Sequence, residues 1–216
     1  MKDLIIYGTG LIAEVAAFFF EKDTDYRIAC FTNSEDFITD TVFRGRPVEP
    51  FEGLQERYPP DRYDIFVALG YRKTNQVREQ RYREAKQKGY RCATYISPLA
   101  VYFGTPVGDN CFILENNVIQ PFVTICNNVT LWSGNHIGHH SIIKDHCFIS
   151  SHVVVSGGCR IEENCFLGVN ATLRDNVTLG KMTVVGAGSI VARDCAARTL
   201  VLPAKSEYVI VERDVL

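Results

Sequence analysis

The sequence predicts two domains: a small α/β domain built on parallel strands over residues 1–98, and a coil of short parallel β-strands over residues 99–216. Two patterns carry this prediction. Short apolar runs alternate with helix-length segments in the first part, whereas aliphatic residues recur at every sixth position from Val101 onward. With 46% hydrophobic residues among 216, the chain can bury a core in each domain.

The first domain alternates strands with helices in chain order. Strands are predicted at residues 4–8, 26–32, 63–70 and 91–97, and helices at residues 11–22 and 74–89. This alternation is typical of a βαβ-type parallel sheet. The basic residues between Arg72 and Arg91 are interpreted as a solvated face of the second helix.

The second domain is predicted from a period of six residues. Sixteen consecutive positions of this period are aliphatic: Val101, Val107, Ile113, Ile119, Ile125, Leu131, Ile137, Ile143, Ile149, Val155, Ile161, Leu167, Leu173, Leu179, Val185 and Val191. Each repeat would supply one flat side of a coil, and three sides would make a turn of eighteen residues. Stacked turns would then bury the aliphatic column that no single repeat can bury alone.

Two further places in the repeat are restricted. The residue four places after each aliphatic residue is small in most repeats, and four cysteines occupy this interior place: Cys111, Cys147, Cys159 and Cys165. The residue three places after is mostly Asn or Gly, which suits a corner with positive φ. Asn117 and Asn135 are exceptions to this small-residue pattern and stand one turn apart. We expect them to form an asparagine ladder; the alternative is that they contact a substrate.

Composition and charge argue against several function classes. A formal charge of −2 and a pI near 6.2 give no electrostatic reason to expect binding to nucleic acid or to an anionic membrane. No run of about 18 apolar residues occurs, and the start MKDLIIYGTG lacks a cleavable signal pattern, so we expect a cytoplasmic protein. The eight cysteines form no C-x-x-C pair, which favours reduced, buried thiols over disulfides or zinc.

The repeat over residues 101–191 resembles the hexapeptide-repeat left-handed β-helix of acyltransferases. A small nucleotide-binding-like domain precedes it and LPAKS (202–206) follows it, and in this order the chain resembles the bacterial sugar acetyltransferases of the PglD/NeuD type. The resemblance implies a homotrimer that uses acetyl-CoA as co-substrate. The implied acceptor is a sugar, commonly a nucleotide-linked 4-amino-4,6-dideoxy sugar, used for surface glycans such as O-antigen or lipopolysaccharide.

The five histidines have unequal places in the repeat. They are His136, His139, His140, His146 and His152. The last three occupy the corner place, where the need for positive φ is a sufficient explanation. His136 precedes an aliphatic residue and has no assigned role. His139 alone stands one place before the corner, where the backbone has no need of a histidine.

His139 is the predicted general base. Its edge of the coil continues with Gly157 and Gly158, which would leave room for a pantetheine arm and offer backbone N–H groups near Gly157 to a thioester oxyanion. By resemblance, counting repeats back from IEENCFLGVNATL (161–173) places the catalytic histidine of the family at His139.

The group that orients this base is left open by the sequence. His140 stands where the family has an orienting glutamate, and we include it among the catalytic residues. The orienting partner could also be Asp145 or a carboxylate of a neighbouring subunit. A zinc site like that of the γ-class carbonic anhydrases is the competing interpretation, but the ligand spacings of that class do not occur here, so no metal is predicted.

Further site residues are predicted for acetyl-CoA and for the sugar nucleotide. Acetyl-CoA would lie in the groove between neighbouring subunits, and its predicted contacts are Gly157, Gly168, Ala187 and Lys205. The predicted substrate contacts are Gly8, Gly10, Gly70, Tyr71 and Trp132.

The first strand-to-helix turn has a Rossmann-like G-x-G-x-x-A pattern, which can bring backbone amides and a helix N-terminus to a phosphate. A dehydrogenase would need an acidic residue at the end of the second strand, where Thr32 and Asn33 stand. The turn is therefore predicted to bind the phosphates of a sugar nucleotide.

The leading hypothesis is an acetyl-CoA-dependent N-acetyltransferase. His139 would remove a proton from the sugar amine as the amine attacks the thioester directly, because an imidazole with a free pKa of about 6.5 suits this role. Two alternatives stay open: a sugar O-acetyltransferase of the sialic-acid type, and a non-catalytic β-helix scaffold.

Overall fold

The first domain is a six-stranded sheet with helices on both faces, in a computed structural model that describes residues 2–205. The strands are β1 (Lys2–Tyr7), β2 (Tyr26–Asn33), β3 (Val42–Phe43), β4 (Arg46–Pro50), β5 (Tyr63–Val67) and β6 (Arg91–Cys92). The helices are α1 (Leu11–Asp23), α2 (Leu54–Arg57) and α3 (Gln76–Gln87), with a 3₁₀ turn at Glu35–Phe37. The strand order is β3-β4-β2-β1-β5-β6, and only β3 and β4 run antiparallel.

Alternation along β1 explains why helices cover both faces of this sheet. Leu4 points to one face and packs in a cluster with Phe20 of α1. Ile5 points to the other face and packs in a cluster with Ala85 of α3. The parallel sheet predicted from the sequence is confirmed, and its β1, β2, β5, α1 and α3 lie close to the predicted positions. The β3–β4 hairpin was not predicted. Within residues 2–205, no helix is long and apolar enough to cross a membrane.

The segment predicted as one strand at 91–97 is divided between the two domains. Residues Arg91–Cys92 pair with β5, whereas Tyr95–Ile96 pair with a strand of the coil. The Thr94 side chain fixes the crossing, since its Oγ1 donates to Gly108 O and accepts from Cys111 N–H. The domain boundary at residue 98 stays a prediction.

The second domain is a three-sided coil of two-residue strands. They are β7 (Tyr95–Ile96), β8 (Val101–Tyr102), β9 (Phe112–Ile113), β10 (Val118–Ile119), β11 (Thr124–Ile125), β12 (Thr130–Leu131), β13 (His136–Ile137), β14 (Ile142–Ile143), β15 (Phe148–Ile149), β16 (Val154–Val155), β17 (Arg160–Ile161), β18 (Phe166–Leu167), β19 (Thr172–Leu173), β20 (Thr178–Leu179), β21 (Val184–Val185), β22 (Ile190–Val191) and β23 (Leu200–Val201). Each strand from β9 to β19 pairs in parallel with the strand eighteen residues further on, as Ile119 does with Ile137. The left-handed parallel β-helix is therefore confirmed.

The first turn of the coil departs from the predicted register. Val118 pairs with Val101 and Ile119 with Tyr102, so this turn is one residue short. Tyr102 takes the interior place, and Val101 is 47% exposed instead of buried. The aliphatic residues from Val107 to Val191 do line the interior.

Corner and interior places match the repeat. All fourteen predicted corner residues have positive φ: Asn110, Asn116, Phe122, Asn128, Gly134, His140, His146, His152, Gly158, Asn164, Asn170, Asn176, Met182 and Gly188. The four interior cysteines are buried free thiols, and burial raises the pKa of Cys111 to about 12. Asn135 Nδ2 donates to Asn117 Oδ1 at 3.0 Å, so the two side chains form the expected ladder.

The three sheets of the coil have different surroundings. The docked sheet (β7, β9, β12, β15, β18, β21, β23) faces the first domain, where Phe112 packs on Phe66 and Phe148 on Tyr71. The open sheet (β8, β10, β13, β16, β19, β22) presents an uncovered row of Val101, Val118, His136, Val154, Thr172 and Ile190. The third sheet consists of β11, β14, β17 and β20.

Candidate active site

Four of the five histidines lie on three different edges of the coil, whereas His136 lies in β13 of the open sheet. His139 and His140 follow β13 and lie between the open and third sheets, on what we call the base edge. His146 follows β14 and lies between the third and docked sheets. His152 follows β15 and lies between the docked and open sheets, on what we call the second edge. Among residues 2–205, no group of three or more His, Cys, Asp or Glu is placed to hold a metal ion.

His139 is exposed and held from three sides. Its backbone N–H donates to Gln120 Oε1 at 2.9 Å, and its Nδ1 lies 3.0 Å from His140 Nδ1. The imidazole lies directly over Gly157, since a Cβ at that glycine would lie 2.7 Å from His139 Cε1. The bare edge predicted from the sequence thus provides space for the imidazole of His139.

The prediction that a backbone N–H near Gly157 binds the thioester oxyanion is wrong. Gly157 N–H donates to Asp175 Oδ1 at 2.9 Å, and Gly158 N–H donates to His139 O at 2.8 Å. Neither amide is therefore free to receive the oxyanion of a thioester. Asp145 is also not the partner of His139, because its Oδ1 accepts from Asn127 N–H on another edge.

The other two corner histidines have structural surroundings. His146 is 4% exposed, its Nδ1 accepts from Asn128 Nδ2 at 2.9 Å, and its Nε2 lies 3.7 Å from Glu79 Oε1. His152 places its ring over Gly134, where a Cβ would lie 2.6 Å from it. Both sites support the explanation of these residues by corner geometry.

The predicted acetyl-CoA contacts are divided between edges. Gly157 lies on the base edge, whereas Gly168 and Ala187 lie on the second edge, across the width of the open sheet. A Cβ at Gly168 would lie 2.6 Å from Ala187 N, so the backbones of these two turns are in close contact at the second edge and leave no room for a side chain at Gly168. Lys205 is exposed. The tail from residue 206 lies outside the described residues.

A cavity of about 270 Å³ lies at the carboxyl ends of the central strands of the first domain. Its lining comprises Tyr7, Asn33, Phe37, Leu69, Gly70, Arg72, Val77 and Arg81. After β1 the chain continues to α1 on one face of the sheet, and after β5 it continues to α3 on the other face. Open parallel sheets bind ligands at such a point. Two arginines and an asparagine give the cavity polar groups that suit phosphates and a base.

The predicted substrate residues reach this cavity unequally. Gly70 lines it, and Gly10 stands at the open N-terminus of α1. Gly8 N–H donates to Thr32 O at 2.8 Å, so it cannot also bind phosphate, and Gly8 instead permits a φ of 120°. Tyr71 packs on Phe166 at 4.5 Å and is 52% exposed outside the cavity.

Trp132, the remaining predicted substrate contact, lies between the two domains. It is partly buried against the core cluster that contains residues of α1, and its ring centroid is 6.4 Å from that of Phe148. It therefore lies near the second edge, at Ser133 and Gly134, and on the side of the coil that faces the first domain.

Helix α3 and the N-cap residue before it contribute two buried side chains that the sequence did not reveal. Arg78 is 1% exposed and donates to Thr130 Oγ1, His146 O and Cys147 O. Asn75 Nδ2 donates to Asn164 O and Cys165 O. The interpretation of this helix face as solvated was wrong for Arg78, because the corner of the coil covers it.

Comparison with known proteins supports the fold and the chemistry class. A family model described as bacterial transferase hexapeptide (six repeats) matches residues 105–139 and 123–157, and one described as hexapeptide repeat of succinyl-transferase matches residues 158–193. A comparison with curated proteins finds no match.

Solved structures match both domains. PerB from Caulobacter crescentus, in complex with CoA and GDP-perosamine, is 25% identical with a TM-score of 0.81, and the match covers 93% of each chain. The acetyltransferase domain of PglB from Neisseria gonorrhoeae, in complex with acetyl coenzyme A, is 25% identical with a TM-score of 0.79, over 89% of this chain and 92% of that one. WeeI from Acinetobacter baumannii shares the fold at 17% identity, with a TM-score of 0.71 over 93% of this chain and 96% of its own.

The repeat, the parallel α/β domain in front of it and these matches agree. The chain is therefore an acyltransferase that carries the hexapeptide repeat of bacterial transferases and resembles sugar acetyltransferases of the PglD/NeuD type in both domains.

Proposed function

We propose that this protein transfers an acetyl group from acetyl-CoA to the amino group of a nucleotide-linked sugar, with a 4-amino-4,6-dideoxy sugar favoured, for surface glycan synthesis. The observation that carries the proposal is the exposed imidazole of His139 over the bare surface of Gly157. The solved complexes of PerB with CoA and GDP-perosamine and of PglB with acetyl coenzyme A support both co-substrates. Both are cytoplasmic metabolites, so the cytoplasm stays the predicted location.

His139 acts as the general base in this proposal. As the sugar nitrogen forms a bond to the thioester carbon, Nε2 of His139 takes a proton from that nitrogen. The tetrahedral intermediate then expels the CoA thiolate, which leaves as the free thiol when it recovers a proton. No covalent acyl-enzyme is needed, since the amine reacts with the thioester directly.

The distribution of the predicted contacts favours a site shared between copies. The base edge and the second edge border the open sheet on opposite sides, so His139 and Ala187 of one chain lie on different edges. If open sheets pack against neighbouring copies in the predicted homotrimer, the base edge of one copy meets the second edge of the next. Acetyl-CoA would then pass between Gly157 of one subunit and Gly168 of another.

The cavity of the first domain is the proposed site for the nucleotide. Arg72 and Arg81 would contact the diphosphate, and Gly10 would present the N-terminus of α1 to it. From this cavity the sugar would extend past Gly70 and Trp132 towards the second edge, where the base edge of a neighbouring copy supplies His139.

A thiol-release assay tests the proposal. Wild-type protein is mixed with acetyl-CoA and GDP-, dTDP- or UDP-linked 4-amino and 3-amino sugars, together with matching hydroxyl sugars. We expect release with a 4-amino sugar, and His139→Ala or His139→Asn should lower kcat by at least about 100-fold. Lys181→Ala, at the same repeat place on another edge, should leave kcat unchanged. Unchanged turnover in both His139 variants contradicts the proposal, and release only with hydroxyl sugars favours the O-acetyltransferase.

A further inference from the structure

We propose that His140 is a positioning residue that holds the ring proton of His139 on Nδ1 and so keeps Nε2 free as the base. This inference rests on the proposed function and deepens it, because it concerns the resting state of the same site. The chain uses a second imidazole where a carboxylate is the more common partner of a catalytic histidine.

The distance between the two rings carries the first step. His139 Nδ1 and His140 Nδ1 lie 3.0 Å apart, and the ring planes are at 86°. Two neutral imidazoles at this distance share one proton between these nitrogens, because one must donate and the other must accept. Either His139 or His140 therefore has its proton on Nδ1, and the hydrogen bond couples the two tautomers.

Only one of these arrangements supports the proposed chemistry. If His140 donates, the proton of neutral His139 is on Nε2, and this nitrogen cannot accept a proton from an amine. If His139 donates from Nδ1, its Nε2 has a free lone pair. That nitrogen lies on the side of Gly157, 2.8 Å from the position that a Cβ would take. The productive arrangement makes His140 Nδ1 the acceptor.

The surroundings hold both rings in place. His140 occupies a corner with a φ of 60°, and its ring packs on Phe122 with centroids 4.7 Å apart. Gln120 Oε1 anchors the backbone of His139. In the part of the chain from 2 to 205, no carboxylate forms a hydrogen bond or an ion pair with either ring. Within this range His140 is thus the polar side chain that can set the tautomer of His139.

A matched pair of substitutions separates positioning from backbone effects. Both Asn and Gly tolerate the positive φ of this corner, so neither should disturb the coil. Asn offers Oδ1 as an acceptor close to the position of His Nδ1, whereas Gly offers none. We expect His140→Gly to lower kcat by about 10- to 100-fold with little change in the KM for acetyl-CoA. His140→Asn should recover most of this loss.

Nitrogen-15 spectra of the imidazoles test the inference without turnover. With five histidines in the chain, each ring can be assigned by single substitution. In resting wild-type protein we expect His139 to be protonated at Nδ1, and in His140→Gly we expect its proton to move towards Nε2. A wild-type proton on Nε2, or a wild-type kcat in His140→Gly, overturns the inference. A protein that releases no thiol with any sugar contradicts the proposed function instead, and the spectra still decide the tautomer.

Discussion

The absence of a side chain at Gly157 determines where the His139 ring can lie. A methyl group there would lie 2.7 Å from Cε1 and 2.8 Å from Nε2 of that ring, so the imidazole would have to move. We expect Gly157→Ala to lower kcat by about 100-fold, because small displacements of a catalytic group have effects of this size. Thermal unfolding should change little, since the φ of Gly157 is not positive.

Gly53→Ala is the matched control for this substitution. The position has nothing within 4 Å of an added Cβ, and it precedes the short helix α2. Its kcat should equal that of the wild type. If Gly157→Ala has the same kcat as Gly53→Ala, the ring of His139 does not depend on the bare surface.

The sequence could predict individual residues where the repeat itself gave an expectation. His139 stood out because its place in the repeat has no backbone need for histidine, and the structure puts it on an exposed edge. Arg78 did not stand out, because its burial depends on the distant carbonyls of His146 and Cys147. The prediction of a free amide near Gly157 was also wrong, because Gly157 N–H donates to the side chain of Asp175 one turn later, a contact that the local sequence does not reveal.

Helix α3 is one of the elements that connect the two domains, and it does so through buried hydrogen bonds. Arg78 donates to the coil at three atoms, and burial lowers its pKa to about 10. Arg78→Ala would leave a cavity and remove the only hydrogen bond to His146 O among the described residues. We expect the free energy of unfolding, measured by urea denaturation, to fall by about 3 kcal/mol.

Arg83→Ala is the control on the same helix. Its side chain is 63% exposed and pairs with Glu79, so we expect a change below about 1 kcal/mol. An Arg78→Ala loss no larger than that of Arg83→Ala would show that the buried guanidinium does not stabilise the contact.

The contact between α3 and the coil should also weaken in acid. Burial lowers the pKa of His146 from its usual 6.5, an effect that outweighs the nearby Glu79 carboxylate. Because the unfolded chain then binds a proton more readily than the folded one, stability is present above pH 6.5 and is lost as the pH falls towards the lowered value.

Urea denaturation between about pH 7 and pH 5 measures this effect. Burial alone would raise the pKa of Glu79, but donation by Asn164 and the charges of His146 and Arg83 lower it, so this carboxylate loses its contribution only in stronger acid. His146→Asn keeps a residue suited to the corner, and we expect it to flatten the stability profile in this range. An equal slope in wild type and variant would exclude His146 as its source.

At the scale of elements, the sequence predicted well which segments form strands and helices. It predicted less well which other elements these segments pack against. The period of six residues defined the turns between Val107 and Val191, since burial of an aliphatic column is a local property of the repeat. The docked sheet could have been inferred from Phe112, Phe148 and Phe166, which stand at outward places of one face. The β3–β4 hairpin gave a weak signal, because two of the five residues in β4 are prolines.

At the scale of the whole molecule, the open sheet is the surface through which we expect copies of the chain to assemble. Its outward row includes Val154 at 39% and Ile190 at 74% exposure, and an uncovered row of mostly β-branched residues favours contact with another copy. We expect Val154→Glu to reduce the mass in solution from that of a trimer towards the 24.3 kDa of one chain, because it buries a charge in the contact. Light scattering after size-exclusion chromatography measures the mass.

Thr178→Glu, at the equivalent outward place of the third sheet, is the control and should keep the wild-type mass. Activity should fall together with mass in Val154→Glu if the site needs two copies. A Val154→Glu protein that keeps the wild-type mass in solution contradicts the role of the open sheet in assembly.

The eighteen-residue turn also limits how the chain length of this coil can change. An insertion of six residues between His139 and His146 would keep every aliphatic side chain inside, yet it would rotate all later turns by one face. Phe148 and Phe166 would then leave the first domain, and the carbonyls bound by Arg78 would leave α3. Eighteen inserted residues would preserve the faces and only lengthen the coil by about 4.8 Å. Insertions that keep the function are thus expected to have the length of whole turns, although an insertion of six residues, a third of a turn, would still allow the coil to fold.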